Sequence, residues 1–124
     1  MKREPVLVSA CLLGFPCRYD GTSKNFRDLK SEISFFIPLC PEQLAGFSTP
    51  REPAERKENG RIIRLYSGED VTNAFQKGAQ VVADYCLKAG IMRALLKSKS
   101  PSCGEGGATA LLLEKHGVKI EYID

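Results

Sequence analysis

Lys97-Ser98-Lys99-Ser100-Pro101-Ser102-Cys103-Gly104-Glu105-Gly106-Gly107 lies between an apolar run and an apolar helix pattern that begins at Ala108. Its reading decides the fold. Proline at 101 crowds Ser100 out of the α region, so the hydroxyl-rich stretch is a loop. The glycines allow backbone N–H groups to turn toward a bound group at the helix N-terminus, where the dipole favours a thiolate or anion. Cys103 is therefore expected to do chemistry. The unit is a strand over residues 91–96, a loop carrying a thiol, and a helix over 108–115.

The same arrangement recurs earlier in the chain. Val6-Leu7-Val8-Ser9-Ala10 reads as a buried strand ending at Cys11, and Phe35-Phe36-Ile37-Pro38-Leu39 is a second apolar run ending at Cys40. Pro41 and Glu42 suit the first turn of a helix after it. A modest amphipathic helix is expected over residues 24–33, and a loop over 46–53. A hairpin over 55–66 turns at Asn59-Gly60. The clearest helix follows, with an N-cap at Asp70 or Thr72. Its apolar face runs from Val71 through Phe75, Gly78, Val82 and Cys86, and Gly90 ends it. A closing strand is expected over 118–123. Strands alternating with helices predict one α/β domain over residues 1–124, a three-layer Rossmann-like fold with a mostly parallel sheet and a small hairpin insertion.

Composition narrows the function. The chain has 124 residues, 43% hydrophobic and 27% charged, within the ordinary range for a soluble domain. No apolar run approaches the roughly 18 residues of a membrane span, and the N-terminus is too short in apolar residues for a signal segment. A cytoplasmic protein without membrane partners is expected. The net charge is only +3, and the basic residues from Arg51 to Arg64 alternate with Glu52, Glu55 and Glu58, as on a solvated face. With no tryptophan, nucleic acid is a poor candidate partner.

Five cysteines with no secretion signal point to metal binding or catalysis rather than a disulfide framework. No CxxC pair is present, and the only histidine, His116, reads as the C-terminal end of a helix. In parallel sheets, ligands gather at the carboxyl ends of the strands. If the three strands are neighbours, Cys11, Cys40 and Cys103 emerge on one edge. Three thiolates suit a soft metal centre, and a cubane cluster held by three keeps one iron open. Three separately buried thiols are the plain alternative. Cys86, in mid-helix on the apolar face, is expected to pack in the core. Cys17, beside Pro16 and Arg18, reads as incidental, with a fourth ligand or spare thiol as the other possibility.

Val8-Ser9-Ala10-Cys11-Leu12-Leu13-Gly14, Arg18-Tyr19-Asp20-Gly21, Cys40-Pro41-Glu42, Thr49-Pro50-Arg51 and Lys97-Ser98-Lys99-Ser100-Pro101-Ser102-Cys103-Gly104 together resemble the bacterial thiouracil desulfurase family. The resemblance runs through nearly the whole chain in order. It implies a [4Fe–4S] cluster held by Cys11, Cys40 and Cys103, whose open iron takes the sulfur of a thiolated base or nucleoside. It also implies catalytic roles for Glu42 and for Ser100, with Ser98 and Ser102 close by. The expected reaction is desulfuration of the 2-thiouracil to uracil type, without net redox change. A non-enzymatic iron–sulfur module for electron transfer or sensing is the alternative.

Overall fold

The computed structural model describes residues 4–23 and 34–124, so the helix expected over 24–33 lies outside the described residues. Strands β1 (Glu4–Ser9) and β2 (Ser34–Leu39) are followed by a one-turn helix, α1 (Pro41–Leu44), and by the pair β3 (Ala54–Arg56) and β4 (Ile62–Arg64). The long helix α2 (Thr72–Ala89), strand β5 (Arg93–Lys97), helix α3 (Ala108–Lys115) and strand β6 (Lys119–Ile123) complete the order.

The main sheet runs β2-β1-β5-β6, and every pairing in it is parallel. β1 is central because Val6, Leu7 and Val8 bury both of its faces. Leu7, Ala94 and Leu96 face one way and pack against Val82, Ala83 and Cys86 of α2 and Ala110 and Leu113 of α3. On the opposite face, Val6, Val8 and Leu95 pack with the Ala10–Leu12 turn and Cys17. β3 and β4 form a separate antiparallel hairpin, with Gly60 left-handed at the turn. The α/β class, the parallel sheet and the hairpin match the expectation from sequence.

Helix α2 ends as expected, with Gly90 left-handed at its C-cap. Its start differs. Val71 is the N-cap residue, and Asp70 acts from one position further back, accepting the Thr72 N–H at 2.9 Å and its hydroxyl at 2.6 Å. Thr72 Oγ1 is itself recruited by the hairpin, accepting the Ile62 N–H at 2.8 Å. Phe47 against Phe75, with ring centroids 5.4 Å apart, then fastens the loop after α1 to the helix.

Gly78 lies where α1 crosses α2. A Cβ there would overlap the Pro41 carbonyl oxygen and lie 3.0 Å from the Ala45 Cβ. Alanine at an exposed helical glycine gains ~1 kcal/mol. Here the obstruction is backbone, so overpacking of about 3 kcal/mol should win. Gly78→Ala is expected to lower the urea midpoint and displace Cys40 and Glu42, which ride on α1. A stabilised variant with unchanged site chemistry would contradict this packing.

Candidate active site

The carboxyl ends of β2, β1 and β5 lie side by side, and each passes directly into one segment of a shared cleft of about 230 Å³. Cys11 sits in the Ala10–Leu12 3-10 turn after β1, which the Leu13 N–H closes onto the Ala10 carbonyl at 3.0 Å. Cys40 is the N-cap residue of α1, where Pro41 pre-sets the first helical φ. Cys103 lies in the loop between β5 and α3. All three line the cleft. Their convergence follows from three short strands having neighbouring, parallel places in the sheet.

The loop around Cys103 departs from expectation. The N–H groups at the start of α3 are spent internally: Ala108 donates to the Pro101 carbonyl at 3.1 Å and Thr109 to the Ser102 carbonyl at 2.9 Å. They do not turn to a bound group, and the helix terminus does not activate the thiol. Burial instead pushes the Cys103 pKa up to about 12, opposed in part by a hydrogen bond from Ser9. The glycines serve close approach. A Cβ on Gly104 would lie 2.6 Å from both the N and O of Ser100, and one on Gly107 would lie 2.5 Å from the Ser102 carbonyl oxygen.

The three serines separate by their partners. Ser102 Oγ pairs with Thr109 Oγ1 at 2.7 Å, deep in the loop, and Ser98 donates to Asp124. Ser100 lines the cleft and uses its Oγ as an acceptor, for the Ser102 N–H at 3.2 Å and the Cys103 N–H at 3.1 Å. Both bonds leave its hydroxyl proton to be donated elsewhere. Ser9, whose role was not apparent from sequence, accepts the Lys97 N–H at 2.9 Å and so ties the end of β1 to the end of β5 beneath the cysteines.

Glu42 also lines the cleft, in the first turn of α1. Its Oε1 accepts the Arg51 Nε–H at 3.0 Å, and the two side chains are only 15% and 4% exposed. Arg51 Nη2 also donates to the Cys17 carbonyl at 2.9 Å, and Nη1 to Thr49 Oγ1 at 3.0 Å. The reading of 51–64 as a solvated face therefore fails at two residues. Arg51 is buried as a clamp, and Arg64 is buried with its guanidinium 4.5 Å from the Phe47 ring centroid. Sequence alternation does not reveal this, because the burial of Arg51 depends on Glu42 of α1 and on the Cys17 carbonyl, 34 residues away.

Cys17 is the second correction. It is buried, lines the same cleft, packs with Cys11 and Cys40, and its carbonyl accepts from Cys40 Sγ at 3.8 Å. Donation by Cys17 draws the Cys11 pKa down, while the same bond raises Cys17 to about 11. Cys40 is raised, first by its bond to Cys17 and then by burial. Cys86 alone lies apart, in the core with Val82 and Leu96.

The 2-thiouracil desulfurase family model matches residues 6–120. This chain belongs to that family. A desulfurase-family chain is an enzyme by lineage, which decides against the electron-transfer or sensing module. Its structure is similar to that of a [4Fe-4S]-dependent thiouracil desulfidase, TudS, at 38% identity and a TM-score of 0.83, covering 97% of this chain and 91% of that one. It is also 37% identical to the uncharacterized protein YbbK of Bacillus subtilis (strain 168), over 142 aligned positions covering 93% of each. Among the described residues of this desulfurase-family member, no helix is long and apolar enough to cross a membrane.

Proposed function

We propose that this chain hydrolyses the C=S bond of a thiolated pyrimidine, of the 2-thiouracil to uracil type, with a [4Fe–4S] cluster held by Cys11, Cys40 and Cys103. The observation that carries this reading is the convergence of those three cysteines on one cleft at the ends of neighbouring strands. The donor set fits the group. Cys11, Cys40 and Cys103 bring three soft sulfur donors to one cleft, and no histidine is among the described residues lining it, a set that suits a soft, multi-iron centre. Arg18, Arg51, Lys97 and Lys99 line the cleft with Glu42 as the one carboxylate, which favours an anionic thiolate-bound cluster.

When bound, the cluster supplies an open, soft Lewis-acidic iron that prefers sulfur and polarises the thiocarbonyl. The protein supplies the rest. Glu42 takes a proton from the attacking water, directly or through a second water. Arg51 holds one carboxylate oxygen and fixes the direction in which the other points. Ser100 donates its hydroxyl proton to the substrate ring. Atoms balance as thiobase plus water giving oxobase plus hydrogen sulfide, and no electron is transferred.

The cleft supports a small substrate. At about 230 Å³ it is smaller than the roughly 300–1,000 Å³ of sites for drug-sized ligands, and the cluster takes part of that space. A free base or nucleoside suits it better than a thiolated nucleic acid. We place the activity in one domain spanning residues 1–124 and in the cytoplasm, where thiols stay reduced. Anaerobic conversion of 2-thiouracil to uracil in 18O-labelled water, without reductant, tests the reading. Label in the product oxygen is expected, and a strict requirement for an electron donor would overturn it.

A further inference from the structure

We propose that Cys17 is an exchangeable fourth thiolate of the cluster, holding the open iron while substrate is absent and yielding it to the substrate sulfur. The inference rests on the desulfurase reading above. Cys17 belongs to a loop that buries little else. Gly14, Phe15 and Pro16 before it and Tyr19 after it are exposed, and Phe15 is 50% exposed while Cys17 is 4% exposed. A loop seeking only apolar burial would turn the phenylalanine inward. This one turns in a thiol.

The thiol arrives among ligands. Cys17 packs in one cluster with Cys11 and Cys40, and the same cleft is lined by Cys103. Its backbone is held there from two sides. The Cys17 carbonyl accepts from Arg51 at 2.9 Å and lies 3.8 Å from Cys40 Sγ. Cys17 is thus among the ligand sulfurs, on a loop that follows the Ala10–Leu12 turn, beyond the end of β1 at Ser9. A ligand on such a loop can withdraw without moving Cys11, Cys40 or Cys103. The Arg51 guanidinium that holds the Cys17 carbonyl also holds Glu42, so one anchor ties the Cys17 loop to the base.

The exchange balances without redox chemistry. The bond from Cys17 sulfur to iron breaks and one from the substrate sulfur forms. Cys17 leaves with its electron pair and takes a proton from solvent. A fourth thiolate would otherwise mark an electron carrier. An exchangeable one fits a desulfurase, because it shields the open iron from oxidants and loss until a sulfur ligand replaces it.

The test compares anaerobic, reconstituted wild-type chain with Cys17→Ala and Cys17→Ser. All three should hold about four irons per chain. Without substrate, 57Fe Mössbauer spectra should show four sulfur-ligated irons in the wild type and one distinct site in both variants. Adding 2-thiouracil should make the spectra converge and open Cys17 of the wild type to alkylation. Cys17→Ala should bind 2-thiouracil roughly tenfold more tightly, the factor expected if the self-ligand occupies the position nine-tenths of the time. Identical spectra without substrate would overturn the proposal, and so would loss of the cluster in both variants, which would make Cys17 obligatory. If Cys17→Ala does not fold, the near-isosteric Cys17→Ser carries the same comparison. A wild-type chain that takes up no cluster would instead sink the desulfurase reading itself.

Discussion

Serine at Cys11, Cys40 or Cys103 is expected to abolish iron retention after anaerobic reconstitution, while the chain stays folded. The hard hydroxyl oxygen is a poor substitute for thiolate toward soft iron. Each of the three thiols comes from a separate strand end, and Cys17, which follows Cys11 on its segment, is already assigned to the fourth position, so no spare thiol replaces a lost ligand. The reconstituted variants should lack the brown cluster absorbance that the wild type shows. Cys86→Ser is the matched control. Its thiol is buried in the core between the sheet and α2, so a hydroxyl left without a partner there costs on the order of 1–3 kcal/mol. It should unfold at lower urea yet load iron like the wild type. Full iron retention in Cys40→Ser would remove α1 from the ligand set.

The second large effect falls on Glu42 and its clamp. Glu42→Gln keeps an acceptor for Arg51 but removes the basic carboxylate. It should leave iron content and thiobase binding intact and reduce turnover by at least ~10²-fold, the usual contribution of a positioned general base. If Glu42 served only the dipole of α1, the loss would be under ~1 kcal/mol of stability with near-normal turnover. Arg51→Met is expected to behave differently, because it strands a largely buried carboxylate. Removing one partner of a buried pair costs about 3–5 kcal/mol, and the residual exposure of Glu42 places the effect at the lower end. Arg51→Lys should recover much of the stability but little of the turnover. An ammonium cannot reach Glu42, Thr49 and the Cys17 carbonyl together as the planar fork does. Equal turnover in Arg51→Lys and wild type would reduce Arg51 to a structural ion pair.

The sheet was legible because its cues are local. Val6–Val8, the 35–39 run and the 91–96 run are short and apolar, each ends at a loop, and helices intervene. Those cues imply parallel order, and parallel order places Cys11, Cys40 and the Cys103 loop on one edge. Glu42, two residues after Cys40 on a proline-started helix, suited the helix dipole as well as catalysis, and its catalytic reading came from the family resemblance. Cys17 and Arg51 were obscured because their burial depends on contacts between loops. Pro16, Arg18 and the exposed Phe15 give Cys17 the look of a surface position, and the glutamates beside Arg51 hide a guanidinium that is 4% exposed. The glycines at 104 and 107 were recognised as necessary for the wrong reason. Glycine permits both an N–H cradle and tight backbone contact, and only the loop's carbonyl partners distinguish the two.

The most direct test of this account is the iron and acid-labile sulfide content of the chain after anaerobic reconstitution. About four of each per chain are expected, the count of one cubane cluster. A folded protein that turns over 2-thiouracil with no stoichiometric iron, or that takes up a single zinc in its place, would contradict it.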